Sequence, residues 1–165
     1  RVKELTGFAS LQILMSRRSP EGEGGHNMNL PKYVKSKSGF WKLFPKIISS
    51  GTAQCTYPFI FLPENIYYDL ISTSPKRQSI SVLLHEEVHF KRQKQQGILL
   101  WIIKYLILSK FRFNEELLAF KEQVTYLKKH NLTLDLELRA KRLSSWLYLW
   151  CISYEKALLE LKKFE

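Results

Sequence analysis

An α+β fold dominated by helices, with a small N-terminal β-sheet beside one long helix, is predicted by three features of this 165-residue sequence. The strongest strand signal, residues 52–62 (TAQCTYPFIFL), is rich in β-branched and aromatic residues and ends at Pro63. From residue 75 onward, apolar residues recur at helical spacing. A 45% hydrophobic content supplies a sizeable core for a single domain over residues 1–165, with no internal repeat.

Taken in order, residues 1–18 form an amphipathic stretch with helical potential. Residues 19–39 are rich in Gly, Ser, Pro and Lys and read as a mobile loop, with His26 in solvent beside Gly24 and Gly25. Residues 40–50 are at most partly helical because of Pro45. Between residues 74 and 97, Ser74 stands as an N-cap, Pro75 as the first helical residue and Gly97 as the stop. Ile80, Leu83, Leu84 and Val88 give that helix one buried face. The apolar segment Ile98–Leu108 contains Lys104 and is too short to cross a bilayer, so it reads as a buried helix. Asn114 then offers an N-cap to a helix striped by Leu117, Leu118, Phe120, Val124 and Leu127. Breaks near Asn131 and Ser153 divide the remainder, with Ser153 capping a last helix over residues 154–164.

Chemistry concentrates at residues 85–89, HEEVH. His85 and His89 are four apart, so on a helix their side chains lie one above the other, about 5–6 Å apart at Cβ. Two imidazoles so placed can converge on one Zn²⁺ at roughly 2.0–2.1 Å each. Glu86 is turned about 100° from His85, within reach of a water but not of the ion. That combination suits hydrolysis, with Glu86 as general base. A helix with two surface histidines would show the same letters, but here the histidines border a buried face between intact helix signals.

A catalytic zinc site takes three protein ligands and leaves a fourth position open. Glu115 and Glu116 both follow Asn114, where acidic residues also favour the macrodipole of a first helical turn. The stretch LLHEEVHFKRQ…G…W…KYL…FR…EELLAFKEQ, residues 83–123, resembles the glutamate-zincin (gluzincin) metallopeptidases. It is most similar in style to the minimal gluzincins and related small bacterial metallopeptidase-like proteins, and the aromatic LSSWLYLWCISYEKALLEL ending continues the likeness loosely. The resemblance implies a zincin-like domain in which Glu116, three residues before the small Ala119, completes a site with His85 and His89 for one Zn²⁺ per chain. It also implies an edge strand along the cleft that pairs with extended peptide, for which Thr52–Phe61 is the candidate, with Thr52, Ala53, Gln54, Cys55 and Thr56 facing substrate. The implied activity is zinc-dependent peptide hydrolysis through a metal-activated water. An oxyanion donor is expected from Tyr148, Tyr105, Tyr126 or His130.

One departure stands out. Many gluzincins carry an aspartate four residues after the ligand glutamate, where it holds a ligand histidine; from Glu116 that position is Phe120. A backbone carbonyl, Asn114 or Glu122 is left to serve. This departure sustains the alternative of a catalytically latent zinc-binding protein.

Lys and Arg outnumber Asp and Glu by 26 to 15, a net charge of +11. The excess gathers at residues 32–42, 91–94, 128–129 and 141–142, and such fields attract anionic membranes, nucleic acid or acidic peptides. Tyr33, Phe40 and Trp41 interleave the first cluster, yet no helix-turn-helix, zinc-finger or RNA-binding signature accompanies it. Cys55 and Cys151 match no redox or metal spacing and read as buried free thiols. With no secretory signal or transmembrane pattern in these residues, a soluble, cytoplasmic protein is expected over a secreted one.

Overall fold

The structure, a computed structural model, describes residues 30–39, 43 and 51–164. The expected helix at residues 1–18, His26, Phe40, Trp41 and nearly all of residues 40–50 lie outside the described residues. The architecture is the predicted one, mainly helical α+β with a small sheet. Strands β1 (Val34–Ser36), β2 (Gln54–Thr56) and β3 (Phe59–Leu62) form a sheet of order β1-β3-β2. Helices α1 (Glu64–Ile71), α2 (Arg77–Gln96), α3 (Ile98–Ile107), α4 (Ser109–Lys128), α5 (Leu136–Leu143) and α6 (Tyr154–Lys162) follow.

β3 is central because it alternates cleanly: Ile60 and Leu62 are fully buried while Phe59 is exposed. It runs parallel to β1, Val34 opposite Ile60, and antiparallel to β2, Cys55 opposite Ile60. The single strand expected over residues 52–62 is therefore a hairpin. Pro58 has no N–H for a ladder and takes the turn between Thr56 and Phe59. β1 is also a correction, because it forms inside the expected loop.

Two apolar clusters flank the α2–α4 pair. Val34, Ile60, Leu62, Leu70, Ile80, Leu83 and Leu84 join the sheet to α1 and α2. Phe113, Phe120, Val124, Leu136, Ala140, Leu143, Ala157 and Leu161 join α4 to α5 and α6. Gly97 ends α2 at φ +82, a backbone state that an L side chain resists, as the sequence predicted. Ser153 likewise caps α6 by accepting from the Lys156 N–H.

Three boundaries or burials differ from expectation. α2 starts at Arg77 and not at Pro75, because the Asp69 carboxylate at the end of α1 takes the Lys76 N–H at 2.9 Å and holds Ser74–Pro75 in the connecting turn. α4 runs straight through Asn114. The buried Arg112 side chain donates to the carbonyls of Tyr105, Leu106, Tyr148 and Leu149, fixing the turn ahead of Asn114 as helix. α3 is not a buried helix: only Trp101 is buried, while Leu99, Leu100, Ile103, Leu106 and Ile107 are 46–73% exposed. Among the described residues no helix is long and apolar enough to cross a membrane.

Candidate metal centre

The site is built where α2 and α4 pack side by side. Arg77 reaches Tyr126, Gln123 donates to the Ser81 hydroxyl at 3.1 Å, and Arg92 pairs with Glu115, so the helices run antiparallel with rising numbers opposed to falling ones. Glu116, Ala119, Phe120 and Gln123, spaced i, i+3, i+4 and i+7, share the face toward α2. Ala119 is fully buried there, and its small side chain lets the backbones approach.

His85 and His89 point into that seam, their rings 5.1 Å apart and steeply tilted. Glu116 reaches both, with Oε2 3.5 Å from His85 Nε2 and Oε1 3.3 Å from His89 Nε2. One ligand atom from each residue lies within 4.8 Å of the others. Zinc–ligand distances of roughly 2.0–2.2 Å put tetrahedral ligand atoms about 3.3–3.6 Å apart, so each imidazole stands at such a separation from one or the other oxygen of the Glu116 carboxylate. The donor set of two imidazoles and a carboxylate, all buried, fits zinc as well. Glu116 Oε2 is buried without a hydrogen-bond donor, as an oxygen facing a cation would be.

Glu115 does different work. Its carboxylate accepts two guanidinium bonds from Arg92 and one from the Trp101 indole at 3.2 Å, tying α2, α3 and α4 together beside the site. Neither glutamate is in a first helical turn, so the macrodipole explains neither.

The electrostatics separate the carboxylates. Burial pushes Glu86 up, and Glu116 adds to this, while His85, His89 and Lys37 pull it back; the net direction is upward. Burial also pushes Glu116 up, but the two imidazoles outweigh it and hold the group well below the usual carboxylate range. Burial lowers His89, yet Glu116 reverses that and raises it overall. Tyr105 and Tyr148 are raised well above ordinary phenols by burial and by Glu116, so both remain O–H donors at neutral pH.

A cavity of about 320 Å³ opens over these groups. Thr52, Ala53, Gln54, Cys55 and Thr56 form one wall, His85, Glu86 and His89 the floor, and Tyr105, Trp146 and Tyr148 the far side. β2 is thus a sheet edge facing the histidines. Ile60 gives its N–H to Tyr33 on the β1 side, so Cys55 turns its backbone groups outward. There Gln93 of α2 donates to the Cys55 carbonyl at 3.0 Å and accepts from the Tyr57 N–H at 2.8 Å.

Of the expected oxyanion donors, Tyr148 and Tyr105 reach the cavity, and Tyr105 already donates to Glu116 Oε1 at 2.6 Å. Tyr126 packs at a tilt against His130 near Arg77, and neither lines the cavity. Among the described residues no acceptor takes the outer nitrogens of the histidines. His85 Nδ1 and His89 Nδ1 are buried without a hydrogen bond there, and neither Asn114, Glu122 nor a described carbonyl fills the role. Phe120 packs its ring edge-on to His85 at 4.7 Å instead. Sequence reasoning missed Gln93, whose place four residues after His89 on one helix face was the available signal, and the Arg92–Glu115–Trp101 clamp, which has no local signature. Cys55 and Cys151 are free thiols, Cys151 buried and Cys55 only partly so. Comparison of the chain with protein-family models, with curated proteins and with solved structures finds no match.

Proposed function

We propose that this chain is a zinc-dependent peptidase of the gluzincin kind, acting on extended peptide segments. The observation that carries the reading is the meeting of His85, His89 and Glu116, from two helices, beside Glu86 in one cavity walled by a sheet edge. His85, His89 and Glu116 would hold the ion, which supplies Lewis acidity toward water and a peptide carbonyl. Glu86, raised by burial, accepts a proton from the attacking water and passes it to the leaving amine. Tyr148 or Tyr105, kept protonated, donates to the carbonyl oxygen as its charge grows. The outward backbone of β2 aligns the peptide as an added strand.

The test is zinc content together with cleavage of a diverse unstructured peptide library. Wild-type chain should carry one zinc and cleave. Glu86→Gln should retain the zinc and lose at least the 10²–10⁴-fold typical of an absent general base. A chain that takes up no zinc at neutral pH ends this reading.

A second reading is favoured by two observations. Among the described residues the imidazoles have no outer acceptors, which suits a catalytically latent zinc-binding protein. The exposed apolar face of α3, with Leu149 brought near Leu106 by the shared Arg112 guanidinium, suits an anionic membrane surface better than nucleic acid. Zinc uptake without any cleavage, plus co-sedimentation with anionic vesicles, would select it.

A further inference from the structure

A second cavity, of about 220 Å³, adjoins the first. The two share Thr52, Ala53, His85, Glu86 and Tyr148, so the motif residues His85 and Glu86 border both. On the second cavity's side α5 presents Arg139 and Arg142, three residues apart. Successive residues of an extended chain rise about 3.3 Å, so a peptide held along Ala53–Cys55 with its scissile bond at Glu86 has a neighbouring residue on the arginine side.

These arginines lack an answer to their charge among the described residues. Neither makes a salt bridge there, and the buried Arg139 Nε has no hydrogen-bond partner. Asp135 acts on Arg139 at a distance, but its carboxylate accepts the Leu138 N–H as the cap of α5. Burial, and Arg142 beside it, push the Arg139 guanidinium down, the direction of a cation held without a counter-ion. Glu86 shares the cavity, yet the charges that act on it most are His85, His89, Glu116 and Lys37. A guanidinium pair that is partly desolvated and open to a cavity matches the planar fork of a carboxylate.

We propose that Arg139 and Arg142 form a carboxylate-binding subsite next to the scissile position, so that preferred peptides place an acidic side chain or a free C-terminus there. This rests on the peptidase reading for the position of the scissile bond, but its test does not require turnover. Zinc-loaded chain carrying Glu86→Gln is titrated calorimetrically with three probes: acetyl-Ala-Ala-Glu-Ala-Ala-amide, its Gln counterpart, and acetyl-tetra-alanine with a free C-terminus. At least one of the two carboxylate peptides should bind tenfold or more tightly than the Gln peptide, and which of them does so tells side chain from terminus. Arg139→Gln with Arg142→Gln should bring the ratio to one, while the charge-keeping Arg139→Lys with Arg142→Lys retains part of it. Equal binding of all three peptides, binding of none, or a preference that survives the double Gln variant overturns the subsite. Charge preference without cleavage by wild type would sink the peptidase and leave the subsite. Cleavage without charge preference would do the reverse.

Discussion

Adjacent glutamates on α4 should fail in opposite ways when each loses its charge. Glu116 faces the two imidazoles, whereas Glu115 faces Arg92 and Trp101. A ligand at 100 times its dissociation constant stabilises the fold that binds it by about 2.7 kcal/mol. For a chain of this length each kcal/mol moves the melting temperature by roughly 2–4 °C, so saturating zinc should raise Tm by about 5–11 °C. Glu116→Gln removes an anionic ligand and should erase most of that rise, along with most of the zinc found by elemental analysis. Glu115→Gln breaks an ion pair whose carboxylate is buried but whose arginine side chain is 35% exposed. Severing a fully buried pair costs about 3–5 kcal/mol, and solvent at the arginine end reduces this to roughly 1–3 kcal/mol. Glu115→Gln should therefore melt lower with and without zinc, yet keep the zinc-dependent rise. The assay is differential scanning calorimetry of each variant with zinc in saturating excess and with chelator. Loss of the zinc response in Glu115→Gln, with its survival in Glu116→Gln, would refute the assignment.

Ala119 is fully buried on the α4 face toward α2, so Ala119→Leu should overpack the seam, costing about 1–3 kcal/mol and lowering zinc content; a variant with wild-type zinc and Tm would contradict the close approach. The α3 face should matter only at surfaces: Leu106→Ser with Ile107→Ser should reduce co-sedimentation with anionic vesicles and leave zinc content alone, whereas unchanged sedimentation removes the membrane from consideration. The Cys55 thiol is held up by burial and by the nearby Glu86 charge, so iodoacetamide at pH 8 should label it far more slowly in the folded chain than after denaturation; equal rates would place it outside the cavity wall.

What could be read in advance was what local spacing determines. His85, His89 and Gly97 sit in one helix whose period and stop signal are written in neighbouring letters, and the structure keeps all three. Glu116 was reached only through resemblance, because its role depends on α4 lying antiparallel to α2. Asn114 misled because a capping residue and a helical interior residue look alike when the preceding turn is fixed from a distance, here by Arg112 on four carbonyls. α3 misled for another reason. Apolar composition tells that a segment avoids water, not what covers it, and the described chain leaves Leu99, Leu100, Ile103, Leu106 and Ile107 of that helix exposed. The missing aspartate is legible as Phe120, and the described residues supply no substitute.

The bond pair from Gln93 to Cys55 and Tyr57 limits how much of a chain the β2 edge can grip. With that end closed, and with Lys37 Nζ donating to the Thr52 carbonyl at 2.8 Å at the other, only the stretch from Ala53 to the Cys55 N–H is left to receive a strand, which is room for two or three main-chain hydrogen bonds. At about 0.5–1.5 kcal/mol each, these yield a few kcal/mol, and a dissociation constant of 1 mM corresponds to about 4.1 kcal/mol. On the peptidase reading, so short a footprint would read little sequence and hold substrate loosely. Selection would then depend on local concentration: the chain would act on whatever extended segment is kept near its cleft, by a shared surface or a tether, more than on whatever fits it best.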